Sequence, residues 1–200
     1  MEIKELKNFI FKFEQCDKEF VEALQKTLEH KEVKIFDFFG IKDLNPKAEI
    51  VVYNNIDDFK NLYKGTWQNF MRACVKNNQI HLLNLDVCRA ETIHTNATTE
   101  DIQKILLHEI VHFCHRQVCP NPPIWLMEGL ATNLAQQNYV IDKIDCTAKD
   151  LENNFYHTPK AYHYAHKIVE YLLENIDKNI LLKNFKKLNL KEIIKKINKK

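Results

Sequence analysis

Apolar residues along this chain fall into two spacings, and each predicts a different kind of element. Between residues 3 and 30 they recur at helical intervals, first at Leu6, Phe9, Ile10 and Phe13, then at Phe20, Val21, Leu24 and Leu28. That spacing predicts one long helix or two short ones. Residues 48–53 (AEIVVY) are short and β-branched and read as a buried strand, ended by Asn54-Asn55. Asp57 and Asp58 open a short helix through Tyr63. Residues 70–75 and 79–85 flank Lys76-Asn77-Asn78, a hairpin signal in which asparagine supplies positive-φ turn positions. The stretch TEDIQKILLHEIVHF, from Thr99 to Phe113, has the period of an amphipathic helix. Thr98 or Thr99 is its N-cap, and Glu100 and Asp101 suit its first turn.

The second half reads as helical. The helix through His112 must end before Pro120-Asn121-Pro122-Pro123, and Pro123 fits the first turn of the next, from 124 to about 137. A polar segment follows to Thr158, then a helix over about 159–175 and a Lys-rich amphipathic stretch to residue 200. Strands come early in the chain and helices late, the order of an α+β chain. With no internal repeat, residues 1–200 read as a single domain. In that reading residues 1–45 are a helical N-terminal extension and 178–200 a Lys-rich terminal helix.

Composition narrows the function classes. The net charge of +2 gives no global attraction to nucleic acid, and only three glycines leave no room for a Gly-rich phosphate loop. The six cysteines are scattered without a CxxC pair and read as reduced thiols. The first residues, MEIKELKNFIFK, carry charge where a signal peptide needs an apolar run, so a cytoplasmic location is expected. No stretch approaches the roughly 20 apolar residues of a membrane span.

The chemistry is concentrated in His108-Glu109-Ile110-Val111-His112. Residues four apart share a helix face, so His108 and His112 can aim two imidazoles at one ion. Glu109 falls beside that ion, where a general base belongs. A catalytic zinc needs a third protein ligand and one open position. A metzincin would carry Gly at position 115 and His at position 118; His115 and Val118 stand there instead. Cys114 and Cys119 flank the helix exit, but Cys114 projects away from the His112 face. Glu128 interrupts the apolar segment PIWLMEGLA on the following helix, where a lone carboxylate is expensive to bury unless paired or metal-bound. Gly129 beside it would let a neighbouring helix approach closely.

HEIVH followed by PIWLMEGLA resembles the gluzincin branch of zinc metallopeptidases, the peptidase MA-like families, over residues 48–175 or so. The resemblance implies an α+β, zincin-like fold with a small mixed sheet and a mostly helical C-terminal half, Zn2+ as cofactor, and His108, His112 and Glu128 as metal ligands. A later helix of pattern Y-x8-Y-L is matched by Tyr162 and Tyr171-Leu172. By the same resemblance Tyr162 is the oxyanion donor, with Tyr164, His163 and His166 as rivals. Two departures stand out. The His-to-Glu spacing is shorter than in thermolysin-like relatives, and Thr132 occupies the place of an acidic residue found in some of them.

The expected function is zinc-dependent hydrolysis of peptide bonds, with Glu109 as general base, on a peptide or protein substrate. The alternative is a zinc-binding protein of the same fold with little or no peptidase activity. His81, His94, His115 and His157 read as core or surface histidines. Residues 79–85 read either as an edge strand that pairs with substrate or as an ordinary strand. The Lys-rich tail reads as a solvated helix face, with an acidic lipid surface or partner as the alternative. The oligomeric state is open.

Overall fold

The first thirteen residues form strands. In the computed structural model, which describes residues 1–119 and 121–199, β1 (Glu2–Glu5) pairs antiparallel with β2 (Phe9–Phe13). This corrects the helix expected from residue 3 and the helical extension over 1–45. FIFKF satisfies both periods in so short a window. Phe9, Phe11 and Phe13 are buried and Ile10 and Lys12 only half so, which is strand alternation. The second half of the expected helix is real: α1 (Lys18–Phe39) buries Val21, Leu24 and Leu28 and continues to Phe39. It stops at Gly40, whose φ of 69° is left-handed and suits glycine. Its length serves topology, because β2 and its next neighbour run parallel and need a long crossover.

That neighbour is β3 (Ala48–Tyr53), followed by α2 (Ile56–Asn61), whose N-cap Asn55 accepts hydrogen bonds from the Asp57 and Asp58 amides. Then β4 (Ala73–Lys76) and β5 (Gln79–Leu83) form the expected hairpin, with Asn77 and Asn78 at φ 50° and 60°. The sheet order is β1-β2-β3-β5-β4, and it is mixed. Phe11, Ile50 and Ile80 stand in one register row and are fully buried. Each contributes about 1.5–3 kcal/mol of burial. The Phe36 ring of α1 lies 6.2 Å from Phe9 on the same face. β5 is not an edge strand: β3 and β4 occupy its two sides. The reading of residues 79–85 as a substrate-pairing edge is therefore corrected. The hairpin that made β5 legible also closes its free side.

An unpredicted helix, α3 (Leu85–Glu91), starts at Asn84, which accepts from the Asp86 amide and donates to the buried Asp17 carboxylate. α4 (Thr99–Val118) begins with a reciprocal cap. Thr98 Oγ1 accepts from the Asp101 amide at 3.2 Å, and the Asp101 carboxylate accepts from the Thr98 amide at 2.8 Å. Gln103 Nε2 donates to the Ala23 carbonyl at 3.1 Å, fastening α4 to α1. Pro120, expected to end this helix, and Lys200 lie outside the described residues.

The chain divides into two compact units, Met1–Phe113 and Cys114–Lys200, with the division inside α4. The first holds the sheet. The second holds α5 (Ile124–Leu134), α6 (Ala148–Asn153), α7 (Ala161–Asn175), α8 (Lys178–Lys183) and α9 (Leu190–Ile197), with no strand among its described residues. Pro123 is the N-cap of α5 and not part of its first turn, and the helix ends three residues sooner than 137. α6 lies in the segment expected to be polar coil, opened by a Thr147–Asp150 capping box. The expected terminal helix over 178–200 is also corrected. It is two helices, because the side chains of Asp177 and Asn189 each cap a separate start. α9 buries Leu190, Ile193, Ile194 and Ile197 and turns its lysines outward. No described helix is long and apolar enough to cross a membrane.

His81 sits buried in β5 as the sequence reading expected of a core histidine. Its Nε2 lies 3.3 Å from the Lys76 carbonyl, which can only accept, so this nitrogen donates. Nδ1 then accepts from the Tyr53 hydroxyl at 3.0 Å, and the neutral ring is satisfied at both ends. Burial holds the His81 pKa below its ordinary value, and the same cause lowers His94 and His166. Between the folded value and the unfolded one of about 6.5 the unfolded chain binds more protons. Stability from these rings is complete above about pH 6.5 and is lost as pH falls through the folded value. The urea midpoint, measured with chelator present, should be lower at pH 5.5 than at pH 7.5. A His81→Gln variant, which keeps an amide donor and cannot take up a proton, should show a smaller drop. An equal drop would remove His81 from this account.

Candidate metal centre

α4 carries two imidazoles on one face. His108 and His112 are buried at 7% and 6% exposure, with ring centroids 4.5 Å apart and planes at 89°. Leu106, Leu107, Ile110 and Val111 beside them are buried, which fixes the rotation of the helix. Glu128, in the middle of α5, is 4% exposed. One nitrogen from each histidine and one Glu128 carboxylate oxygen all lie within 4.8 Å of one another. Ligand atoms about 2.0–2.2 Å from a tetrahedral ion stand roughly 3.3 Å apart, so small side-chain rotations close the set. Two imidazoles and a carboxylate, buried together, are a group that can hold a metal ion. The expected triad is thus brought together. Neither Cys114 nor Cys119 belongs to it, and none of the six cysteines forms a disulfide.

Glu109 is buried at 8% exposure and follows His108 by one residue, so it points about 100° around α4 from that ligand. Tyr162, at the start of α7, is half-buried. Its ring meets Phe155 edge-on at 5.2 Å and lies nearly parallel to Tyr139 at 6.5 Å. Its rivals have their own surroundings. Tyr164 is buried in the core at 6% exposure. His163 meets Tyr139 edge-on at 4.9 Å. His166 Nδ1 lies 3.2 Å from Thr132 Oγ1. Thr132 therefore faces α7.

Of the remaining histidines, His115 is fully buried, His94 Nε2 lies 3.0 Å from the Phe70 carbonyl, and His157 is exposed. None joins the metal group.

One residue near Glu109 was not foreseen. Tyr63, just after α2, has its hydroxyl pKa pushed far above the ordinary range, first by burial, then by Cys74 and by the negative charge of Glu109. Its hydroxyl is 3.4 Å from the Ala73 carbonyl of β4. Tyr63 therefore stays a neutral donor in the field of the Glu109 carboxylate. No local pattern marks it, because the connection is made by the fold.

No protein-family model matches the chain, and no curated protein matches it. The functional reading rests on the site.

Proposed function

We propose that this protein is a zinc-dependent peptidase of gluzincin type, with His108, His112 and Glu128 as the metal ligands. The observation that carries it is the buried His-His-Glu group with Glu109 next to the first ligand on the same helix. Two nitrogens and one oxygen suit zinc, and three protein ligands leave a position for chemistry. Bound there, zinc supplies Lewis acidity and lowers the pKa of a coordinated water to about 7.

The chain's own residues do the rest. A Glu109 carboxylate oxygen takes a proton from the attacking water and holds it until the leaving amine nitrogen receives it. The buried position of Glu109 keeps bulk water from competing for that proton. The Tyr162 hydroxyl donates a hydrogen bond to the substrate carbonyl oxygen as negative charge develops on it. Leu107 and Val111 are buried apolar residues on the same stretch of α4 as the two imidazoles.

Purified protein should contain about one zinc per chain. It should cleave members of a mixed peptide library, lose that activity to a chelator, and regain it on zinc addition. Zinc-replete protein that cleaves nothing would leave a metal-binding protein without peptidase activity. Protein that binds no zinc, with stability indifferent to chelator, would overturn the proposal altogether.

A further inference from the structure

The third ligand is set by how α5 rests on α7, and the resting point is next to Glu128. Gly129 lies where the two helices touch. A Cβ placed there would be 2.5 Å from the Ala165 carbonyl oxygen, 2.5 Å from Val169 Cγ2 and 3.0 Å from the Ala165 carbonyl carbon. Two of those three atoms are main chain and cannot rotate away. Glycine is a poor residue for a helix interior, so its presence here answers to the close approach and not to helix formation.

The approach is also bonded. Asn133 Nδ2 donates to the Gly129 carbonyl at 2.7 Å and to the His166 carbonyl at 2.9 Å, so one amide spans both helices. Thr132 Oγ1 gives its proton to the Gly129 carbonyl at 3.0 Å, which leaves it to accept from His166 Nδ1–H at 3.2 Å. The turn of α5 that carries Glu128 is thereby fixed to α7 at main-chain level.

We infer that Gly129 and Asn133 are positioning residues, through which α7 sets the place of the Glu128 carboxylate and so the strength of metal binding. The inference rests on the metal-site reading above. A Cβ at Gly129 forces the helices apart by about 1 Å to restore ordinary contact distances. Metal–ligand distances are held to within about 0.2 Å, so such a shift must be taken up by strain in the Glu128 side chain. The displacement reaches Glu128 because it is the adjacent residue on a rigid helix. Removing the Asn133 amide loosens the same junction without adding bulk.

The test is zinc affinity by competition with a chromophoric chelator, on full-length wild type, Glu128→Ala, Gly129→Ala and Asn133→Ala. Circular dichroism and melting of the chelator-treated proteins run alongside. Gly129→Ala and Asn133→Ala should each bind zinc about 10–100-fold more weakly, the range found when supporting groups around a metal are lost. A purely structural role would lower the melting temperature and leave the affinity of the folded protein unchanged. Adding Val169→Ala to Gly129→Ala should restore only part of the affinity, because the Ala165 carbonyl still blocks the way. Should Gly129→Ala fail to fold, Asn133→Ala decides. Wild-type affinity in both variants, with Glu128→Ala weakened, overturns this inference and spares the metal site. No zinc binding by wild type overturns the site and the inference with it.

Discussion

Replacing Glu109 with glutamine should abolish most peptide cleavage while leaving the metal in place. The substitution keeps the shape and hydrogen-bonding reach of the side chain and removes its ability to carry a proton. Positioned proton transfer contributes about 10²–10⁴-fold to such reactions, and turnover should fall by that factor. Glu109 is outside the group whose ligand atoms converge, so zinc content by metal analysis should match wild type. A parallel Tyr162→Phe variant separates the proposed base from the proposed oxyanion donor: it should lower kcat far more than it changes KM. Retained cleavage in Glu109→Gln would remove it as the base, and an unaltered kcat in Tyr162→Phe would remove that hydroxyl.

The second large effect is the loss of metal-dependent stability. Glu128 is a carboxylate at 4% exposure inside an apolar helix. Burying that charge costs free energy, which a bound cation offsets. With chelator present, wild type and Glu128→Ala should melt closer together than they do with zinc. With zinc at 100 times its dissociation constant, wild type gains about 2.7 kcal/mol from binding the folded state alone. The variant should gain little of this, and its zinc affinity should fall by at least the 10–100-fold seen for loss of mere supporting groups. Unchanged metal content in Glu128→Ala would exclude it as the third ligand.

Legibility in the sequence followed the range of the interactions. The start and the ligand face of α4 are legible in the sequence, because its period, the threonine at its start and the His108–His112 spacing are all local. α7 was readable for the same reason, as was the β4–β5 hairpin from its two asparagines. Phe9, Ile10 and Phe13 fit a helical period, whereas Phe9, Phe11 and Phe13 fit the alternation of a strand. Pairing of β2 with β3, far along the chain, decides between the two readings. The edge role of residues 79–85 failed on another non-local fact, that β5 has a neighbour on each side. The terminal helix failed on caps: Asn189 offers the chain a second helix start, and a continuous amphipathic pattern conceals it.

What the residues alone determined is the chemistry on offer: two imidazoles one turn apart, a carboxylate beside the first, and a second carboxylate in an apolar segment. These follow from helical geometry, which a short stretch of chain specifies without help. Only the tertiary structure decided that Glu128 meets the histidines, that Gly129 rests on the Ala165 carbonyl, and that Tyr63 lies in the field of Glu109. Those juxtapositions depend on packing between segments distant in sequence. Their closeness is fixed by the summed burial of many side chains, and no single local pattern records it.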